Sequence, residues 1–289
     1  MPAALQDRVT AIVARSNLSA SDVIGHVFGP DSWEAWDELF RLDTALGRFL
    51  GVLDQKYGPE GYAVLLSADH GTAPMPEIAA QPWCGPGARD HWGRTCGGGR
   101  LFPGTLGLEM RRIAAGVLGQ GDWVRGVVDP YVYLTNAARE LPEVRRRKLD
   151  RAIVGALLRH KEVLEVIDVR TIAAVCPPPE DESISALVCR SYVPGGLAGD
   201  FYVLPRQGSF FDPTVVVGKG TSHGTPYLYD RSVPLLVRAP GRVPAGVVVN
   251  EPVGFGAFAR TAAALLEIDP PVAAARAQNL TLTKPRSPR

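Results

Sequence analysis

The sequence predicts an α/β fold, with a central and mostly parallel sheet flanked by helices. Short apolar runs alternate with amphipathic stretches along the chain, which is typical of this class. The length of 289 residues is enough for one large domain or two smaller ones. Gly (31) and Pro (25) together make up nearly a fifth of the chain, which indicates many turns between short elements.

The first part of the chain predicts a strand, a helix and a second strand. Val9–Val13 is apolar and β-branched, and a polar loop over Ser16–Asp22 follows it. Asp31 is expected to cap a helix that runs to about Tyr57, with Glu34 as its capping-box partner. The next apolar run, 62–67, predicts a buried strand that ends at the sequence Asp-His-Gly.

A smaller α+β cap is predicted as an insert over residues 101–210 of this core. Residues 1–100 and 211–275 then form the core, and residues 276–289 form a polar tail. The insert is expected to contain three helices, at 106–118, 144–160 and 184–192, with strands at 123–134 (one or two), 163–169 and 200–204. After it, strands are expected at 214–217 and 233–237, and a core helix at 258–266.

The charge balance argues against nucleic-acid binding. Lys and Arg number 31 against 30 Asp and Glu, so the formal net charge is +1. The basic cluster Arg145–Lys148 has no interleaved aromatic residues, so we expect a solvated helix face there. No stretch approaches the ~18 apolar residues of a membrane span, and the first residues lack the pattern of a signal peptide.

Five residues in three segments form a candidate metal site. Asp22 and His26 are four residues apart, a spacing that brings them to one side of a helical turn or a tight loop. Asp69 and His70 are adjacent at a strand end, where successive side chains diverge, so they suit two neighbouring ions better than one. His223 lies between Ser and Gly in a later loop. Two Asp and three His match the ligand set of Zn²⁺, with Mn²⁺ or Fe as alternatives.

The three segments that carry these residues resemble the alkaline phosphatase superfamily. The segments are Ser-Asp-Val-Ile-Gly-His-Val-Phe-Gly-Pro from Ser21, Ser-Ala-Asp-His-Gly from Ser67, and Gly-Thr-Ser-His-Gly-Thr-Pro-Tyr-Leu-Tyr-Asp-Arg-Ser-Val-Pro from Gly220. They are most similar to the phosphodiesterase/nucleotide-pyrophosphatase-like branch and to the PafA-type alkaline phosphatase branch. The likeness covers most of the chain, including the insert, and it implies an alkaline-phosphatase-like α/β core.

The resemblance implies zinc-dependent hydrolysis of phosphoric esters at a two-metal site. Asp22, His26 and His223 would hold one Zn²⁺, while Asp69 and His70 would supply part of the ligands of a second. In the family the two ions clamp the entering and leaving oxygens of an in-line phosphoryl displacement. A small phosphate ester is therefore the expected substrate, whether a monoester or a diester. Relatives are usually periplasmic or secreted, which sets the expectation for localisation.

The sequence departs from the family pattern in lacking a matched nucleophile. A Thr or Ser nucleophile and an earlier Asp precede the first metal segment in relatives, and nothing before Asp22 matches them. Either this chain is the C-terminal part of a longer protein, or it is a truncated, non-catalytic paralogue. Local hydroxyls lie too close in sequence to the ligands and are expected to support the ligand loops instead: Thr72, Thr221, Ser222 and Thr225.

Other sequence features give weaker predictions. Cys84-Gly-Pro-Gly-Ala-Arg89 is one residue longer than the sulfatase motif and lies after the Asp-His-Gly segment, so a sulfatase-like or phosphoglycerate-mutase-like activity is disfavoured. Cys84 and Cys96 lie in one Gly-rich loop and either pair or remain thiols. His91, in the same loop, is a candidate substrate contact, whereas His160 at a helix end is expected to be structural.

Overall fold

The computed structural model describes residues 18–79, 98–172, 176, 181, 183–193, 197–213 and 218–282. The chain divides into two compact units. The smaller unit comprises residues 1–19, 37–69 and 233–289, and the larger unit comprises residues 20–36 and 70–232. None of the described helices is both long enough and apolar enough to cross a bilayer.

Two helices precede the first described strand. Helix α1 spans Ser19–Phe28 and α2 spans Trp33–Tyr57. The sequence analysis placed a loop over Ser16–Asp22, and this was wrong from Ser19 onward. Apolar residues recur at helical spacing in α1, and an acidic residue in its first turn and a histidine in its last turn complement the helix dipole.

The N-cap of helix α2 lies one residue later than predicted. The Ser32 hydroxyl accepts a hydrogen bond from the amide of Ala35 at 3.1 Å, so Ser32 is the N-cap rather than Asp31. The capping-box position then falls on Ala35, and the predicted role of Glu34 is lost with the shift.

The smaller unit contains an antiparallel strand pair and a helix. Strand β1 (Val64–Ser67) pairs with β8 (Leu235–Arg238), with Ser67 opposite Leu235. Helix α10 spans Gly256–Leu266, and 3₁₀ turns follow at Val272–Ala274 and Leu280–Leu282. The amide of Leu280 donates to the Thr261 hydroxyl at 3.1 Å, which ties this end of the chain to α10.

The larger unit contains a four-stranded antiparallel sheet in the order β3-β4-β6-β5. Its strands are Val124–Val128 (β3), Tyr131–Leu134 (β4), Val163–Asp168 (β5) and Phe201–Pro205 (β6). The short strands Arg100–Leu101 (β2) and Phe210–Phe211 (β7) form a parallel pair. The predicted strand region 123–134 is thus two strands of a hairpin, and the sheet of the insert is antiparallel.

The larger unit also contains seven further described helices. They are α3 (Pro76–Ala79), α4 (Pro103–Leu118), α5 (Asn136–Arg139), α6 (Glu143–Leu157), α7 (Val169–Ile172), α8 (Ile184–Ser191) and α9 (Leu228–Arg231). Of these, α4, α6 and α7 pack against this sheet. Helix α6 buries residues at i, i+4, i+7 and i+8 from Leu149, the periodicity of an amphipathic helix. The largest cluster of buried apolar side chains draws all its members but Phe211 from the predicted insert, residues 101–210. Arg147 in the basic cluster pairs with Glu143 at i,i+4, as expected of a solvated face.

A disulfide joins Cys176 to Cys189 in α8, with their Cα atoms 5.7 Å apart. The sequence analysis missed this pair, because the spacing of the two residues matches no motif. Several predictions concern residues outside the described part of the chain: the strands at 9–13 and 214–217, the Cys84–Cys96 pair, His91 and the tail from residue 283.

Candidate metal centre

Helix α1 brings the first two predicted ligands together on the larger unit. Asp22 and His26 lie one helical turn apart, and Asp22 Oδ1 is 3.4 Å from His26 Nε2. Their side chains are 45% and 38% exposed. An ion held between them would therefore be open to solvent and to a substrate.

Two loops of the same unit add a histidine each. His70 Nε2 lies 3.5 Å from Asp22 Oδ1, and the His70 ring stacks on the His223 ring with their centroids 3.4 Å apart. The His223 and His26 ring centroids are 5.1 Å apart. One ligand atom from each of Asp22, His26 and His223 lies within 4.8 Å of the others. Three segments that are far apart in the sequence thus converge on one small volume.

Backbone carbonyls fix which nitrogen of two histidines is available. His26 Nδ1 is 2.9 Å from the Thr221 carbonyl oxygen, and His70 Nδ1 is 2.9 Å from the Gly71 carbonyl oxygen. A carbonyl oxygen can only accept, so Nδ1 carries the proton in both rings and Nε2 keeps its lone pair. Metal-binding histidines are oriented in this way, and both Nε2 atoms face Asp22.

The ligand spacing fits a tetrahedral zinc ion. Ligands at about 2.0–2.1 Å from zinc are separated by about 3.3–3.4 Å along a tetrahedron edge. The distance from Asp22 Oδ1 to His26 Nε2, 3.4 Å, matches that edge. A direct charge-assisted hydrogen bond would be shorter, at about 2.7–2.9 Å. The donor set and its spacing therefore fit a bound cation better than a plain ion pair.

Hydrogen bonds between the two loops hold the histidines in place. The Thr221 hydroxyl donates to the Ala73 carbonyl at 2.6 Å, and the Thr72 hydroxyl donates to the Ser222 carbonyl at 3.3 Å. Gly220, at φ +67°, lies so close to the backbone carbonyl of His26 that a Cβ would overlap it. The sequence analysis predicted this supporting role for the threonine hydroxyls, and these bonds confirm it for Thr72 and Thr221.

A buried arginine anchors the loop that leads to His223. Arg100 is only 4% exposed, and its guanidinium donates to both carboxylate oxygens of Glu77, at 2.7 and 2.8 Å. It also donates to Asp212 Oδ2 at 2.9 Å and to the Gly220 carbonyl at 2.9 Å. The hydrogen bond from Arg100 lowers the pKa of the Glu77 carboxyl. The arginine therefore joins α3, the end of β7 and the His223 loop.

A buried aspartate in α9 is bonded to both histidine loops. Asp230 Oδ2 accepts from the Thr225 amide at 2.8 Å and from the Thr225 hydroxyl at 2.5 Å, while its backbone carbonyl accepts from the Gly71 amide at 2.7 Å. Burial raises the pKa of the Asp230 carboxyl, and the two Thr225 donors oppose that rise. Burial also raises the pKa of the neighbouring Tyr229 phenol to about 12, so the phenol is neutral at ordinary pH.

Two other histidine or aspartate predictions concern Asp69 and His160. Asp69 belongs to the smaller unit, so its role as a ligand stays a prediction. His160 Nε2 pairs with Glu109 Oε2 at 2.8 Å, in keeping with a structural role. Arg100 and Asp230 were missed as supports of the site. For Asp230 the only sequence signal was its place in the Gly220–Pro234 segment, and Arg100 had none.

Comparisons with known proteins support the family resemblance seen in the sequence. Residues 12–100 match the model of the type I phosphodiesterase/nucleotide pyrophosphatase family. The alkaline phosphatase PhoV of Synechococcus elongatus is 27% identical over 259 residues, which are 88% of this chain and 42% of that protein. The alkaline phosphatase PhoK of a Sphingomonas species is 31% identical over 225 residues, which are 76% of this chain and 37% of that protein.

A solved structure supports the same relationship. The crystal structure of wild-type alkaline phosphatase PafA superposes with a TM-score of 0.73 at 26% identity, over 92% of this chain and 46% of that one. The family model, the two relatives and this structure all support a relationship to the alkaline phosphatase superfamily and its PafA-type branch. The likeness also confirms the predicted α/β class. The chain spans less than half the length of the alkaline phosphatases named above.

Proposed function

We propose that this chain carries zinc-binding residues of a hydrolase that acts on small phosphoric esters, monoesters or diesters. The observation that carries the proposal is the convergence of Asp22, His26 and His223, whose ligand atoms lie within 4.8 Å of one another. The carboxylate and imidazole donors suit zinc. The relatives, which bear the names of alkaline phosphatases, support hydrolysis of phosphate esters as the reaction class.

Two ions are proposed, and the chain offers ligands to both. Asp22, His26 and His223 would hold the first, with Asp69 and His70 contributing to the second. When bound, such ions supply positive charge to the phosphoryl oxygens and lower the pKa of an attacking oxygen. The residues of the chain orient this site, because the Thr221 and Gly71 carbonyls fix the protons of His26 and His70 on Nδ1.

The attacking hydroxyl is proposed to come from outside the residues described. Within the described chain, the Thr72, Thr221 and Thr225 hydroxyls donate to backbone carbonyls or to Asp230, so they serve the loops. In the PafA-type pattern the nucleophile precedes the first metal segment. We therefore assign the attacking role to none of these three hydroxyls.

The metal content of the purified chain is the first test of the proposal. Elemental analysis of the purified chain is expected to give at least one zinc per molecule, lost in His223→Ala and retained in the matched variant His160→Ala. Chelation is expected to lower the melting temperature of the wild-type chain by mass action. A chain that binds no divalent metal would refute the zinc site.

The alternative is a non-catalytic metal-binding protein, which is favoured because the hydroxyls of Thr72, Thr221 and Thr225 are already hydrogen-bonded within the chain. To distinguish a hydrolase from a non-catalytic protein, the zinc-loaded chain is incubated with p-nitrophenyl phosphate and with bis-p-nitrophenyl phosphate. Turnover that disappears in His223→Ala supports the hydrolase. A zinc-loaded chain without turnover supports the non-catalytic alternative, or the need for an added segment.

We also propose that the protein resides in an oxidising compartment, as the usual export of relatives leads us to expect. The Cys176–Cys189 disulfide supports this, because such bonds persist outside the reducing cytosol. Alkylation of thiols in acid-quenched cells, followed by mass spectrometry, is expected to find the two residues bonded. Free, alkylated thiols in native cells would contradict the proposal.

A further inference from the structure

Asp230 is bonded to both of the loops that carry histidines of the metal cluster. Its carboxylate accepts two hydrogen bonds from Thr225, two residues after His223, and its backbone carbonyl accepts one from Gly71, one residue after His70. The two loops are more than 150 positions apart in the sequence. Asp230 therefore ties both loops to α9, in addition to the hydrogen bonds that the loops make with each other.

The chemistry of Asp230 does not suit a residue that only fills space. The residue is 3% exposed, and its second carboxylate oxygen, Oδ1, has no hydrogen-bond partner in the described structure. Burying a carboxylate with one unmatched oxygen costs free energy, and an apolar side chain would pack there at a lower cost. What the Asp230 side chain provides is an acceptor oxygen for the two donors of Thr225, while its backbone carbonyl accepts from the Gly71 amide.

The contact between the loops and α9 is close on both sides. A Cβ at Gly71 would overlap the Tyr229 carbonyl oxygen, so the His70 loop approaches α9 as closely as backbone permits. The Tyr229 hydroxyl in turn accepts from the Gly208 amide at 3.0 Å, which fixes α9 to the chain after β6. A shift of α9 caused by a substitution at Asp230 would therefore also move the loops that carry the histidines, because there is no free space between them.

We propose that Asp230 is a positioning residue that holds the His70 and His223 loops in the mutual placement required for metal binding. The inference rests on the proposed metal site, and it adds a residue that itself contacts no ion. Groups that orient ligands typically change metal affinity by 10–100-fold when they are lost.

Asp230→Ala and Asp230→Asn in the full chain test the role. Zinc affinity is measured by competition with a chromophoric chelator, and the site geometry by the visible absorption of the Co²⁺-substituted protein. Asp230→Ala is expected to weaken zinc binding by about 10–100-fold and to alter the Co²⁺ spectrum. Asp230→Asn is expected to stay within a few-fold of wild type, since its amide oxygen still accepts from Thr225.

Asp200→Ala is the matched control. Asp200 is also 3% exposed, and it accepts from the Leu134 amide at 2.7 Å and from the Arg139 guanidinium at 2.9 Å, within the insert sheet. Its loss is expected to lower the melting temperature while zinc affinity stays unchanged. Wild-type zinc affinity in Asp230→Ala, or equal weakening in Asp200→Ala, overturns the proposal. If Asp230→Ala does not fold, Thr225→Val removes one of the two donors, and unchanged zinc affinity in that variant overturns it.

Amide hydrogen exchange of the metal-free chain separates this inference from the proposed function. Asp230→Ala is expected to speed exchange at Thr225, whose amide loses its side-chain acceptor, whereas Asp200→Ala is expected to speed exchange at Leu134. If the wild-type chain binds no zinc but the two variants show this exchange pattern, the metal site is refuted and Asp230 is kept as an anchor of the His223 loop. If the chain binds zinc but exchange at Thr225 is unchanged in Asp230→Ala, the metal site is kept and the positioning role is refuted.

Discussion

Replacing Arg100 with methionine removes a buried guanidinium that joins three segments of the larger unit. The side chain is 4% exposed, donates to Glu77, Asp212 and the Gly220 carbonyl, and lies over the Phe210 ring at 5.1 Å. Methionine keeps most of the apolar stem, so the loss is mainly that of the charge and its hydrogen bonds. The Asp212 carboxylate, only 5% exposed, then loses its ion-pair partner.

The expected cost of Arg100→Met is about 3–5 kcal/mol of unfolding free energy. This is the usual penalty for removing one partner of a buried ion pair, because the remaining buried charge loses the stabilisation that this partner gave it. It is a large share of a typical total stability of about 5–15 kcal/mol. With an m-value near 2 kcal/mol per molar urea, a loss of about 4 kcal/mol lowers the urea midpoint by about 2 M.

Urea denaturation followed by circular dichroism measures this loss, with Arg139→Met as the control. Arg139 makes a similar two-bond pair with Asp200 but donates nothing to the His223 loop in the described bonds, so it should cost stability and spare zinc affinity. Adding Asp212→Asn to Arg100→Met is expected to recover part of the stability, since a neutral amide costs less to bury than a carboxylate that has lost its arginine. A loss below about 1 kcal/mol in Arg100→Met would refute the buried-pair reasoning.

Three further outcomes are expected. The pKa of Glu77 is lowered from 4.5 by its bond to Arg100, so the pair stabilises the fold above that pH, and this stability is lost as pH falls through the lowered value. Urea midpoints between pH 7 and pH 3 should show this loss in wild type and a smaller one in Arg100→Met, and parallel curves would contradict it. Gly71→Ala should lower both the melting temperature and the zinc affinity, because a Cβ at this position overlaps a backbone carbonyl oxygen of α9. An unchanged melting curve for this variant would contradict the close approach. Changing both Cys176 and Cys189 to serine should lower the unfolding free energy by about 3 kcal/mol, the value expected for a disulfide loop of this length. Identical urea midpoints for the wild type and the double variant would contradict this prediction.

Local sequence was enough for the parts of the site that depend on near neighbours. The four-residue spacing of Asp22 and His26 fixed their meeting on one side of a turn, although polar residues made the helix itself resemble a loop. The motifs around His70 and His223 indicated a metal cluster and the superfamily. Apolar periodicity indicated most helices and strands of the insert within a few residues, because each depends on burial of one face of a short segment.

Tertiary structure alone decided how the ligand loops are held. Arg100 contacts partners 23, 112 and 120 positions away, and Asp230 joins loops on either side of the whole insert. The proton positions on His26 and His70 follow from carbonyl oxygens that the fold places within 2.9 Å of each Nδ1. Residue types and short spacings identify candidate ligands because they act through the local backbone. The supporting bonds join segments that only folding brings together, and no local pattern encodes them.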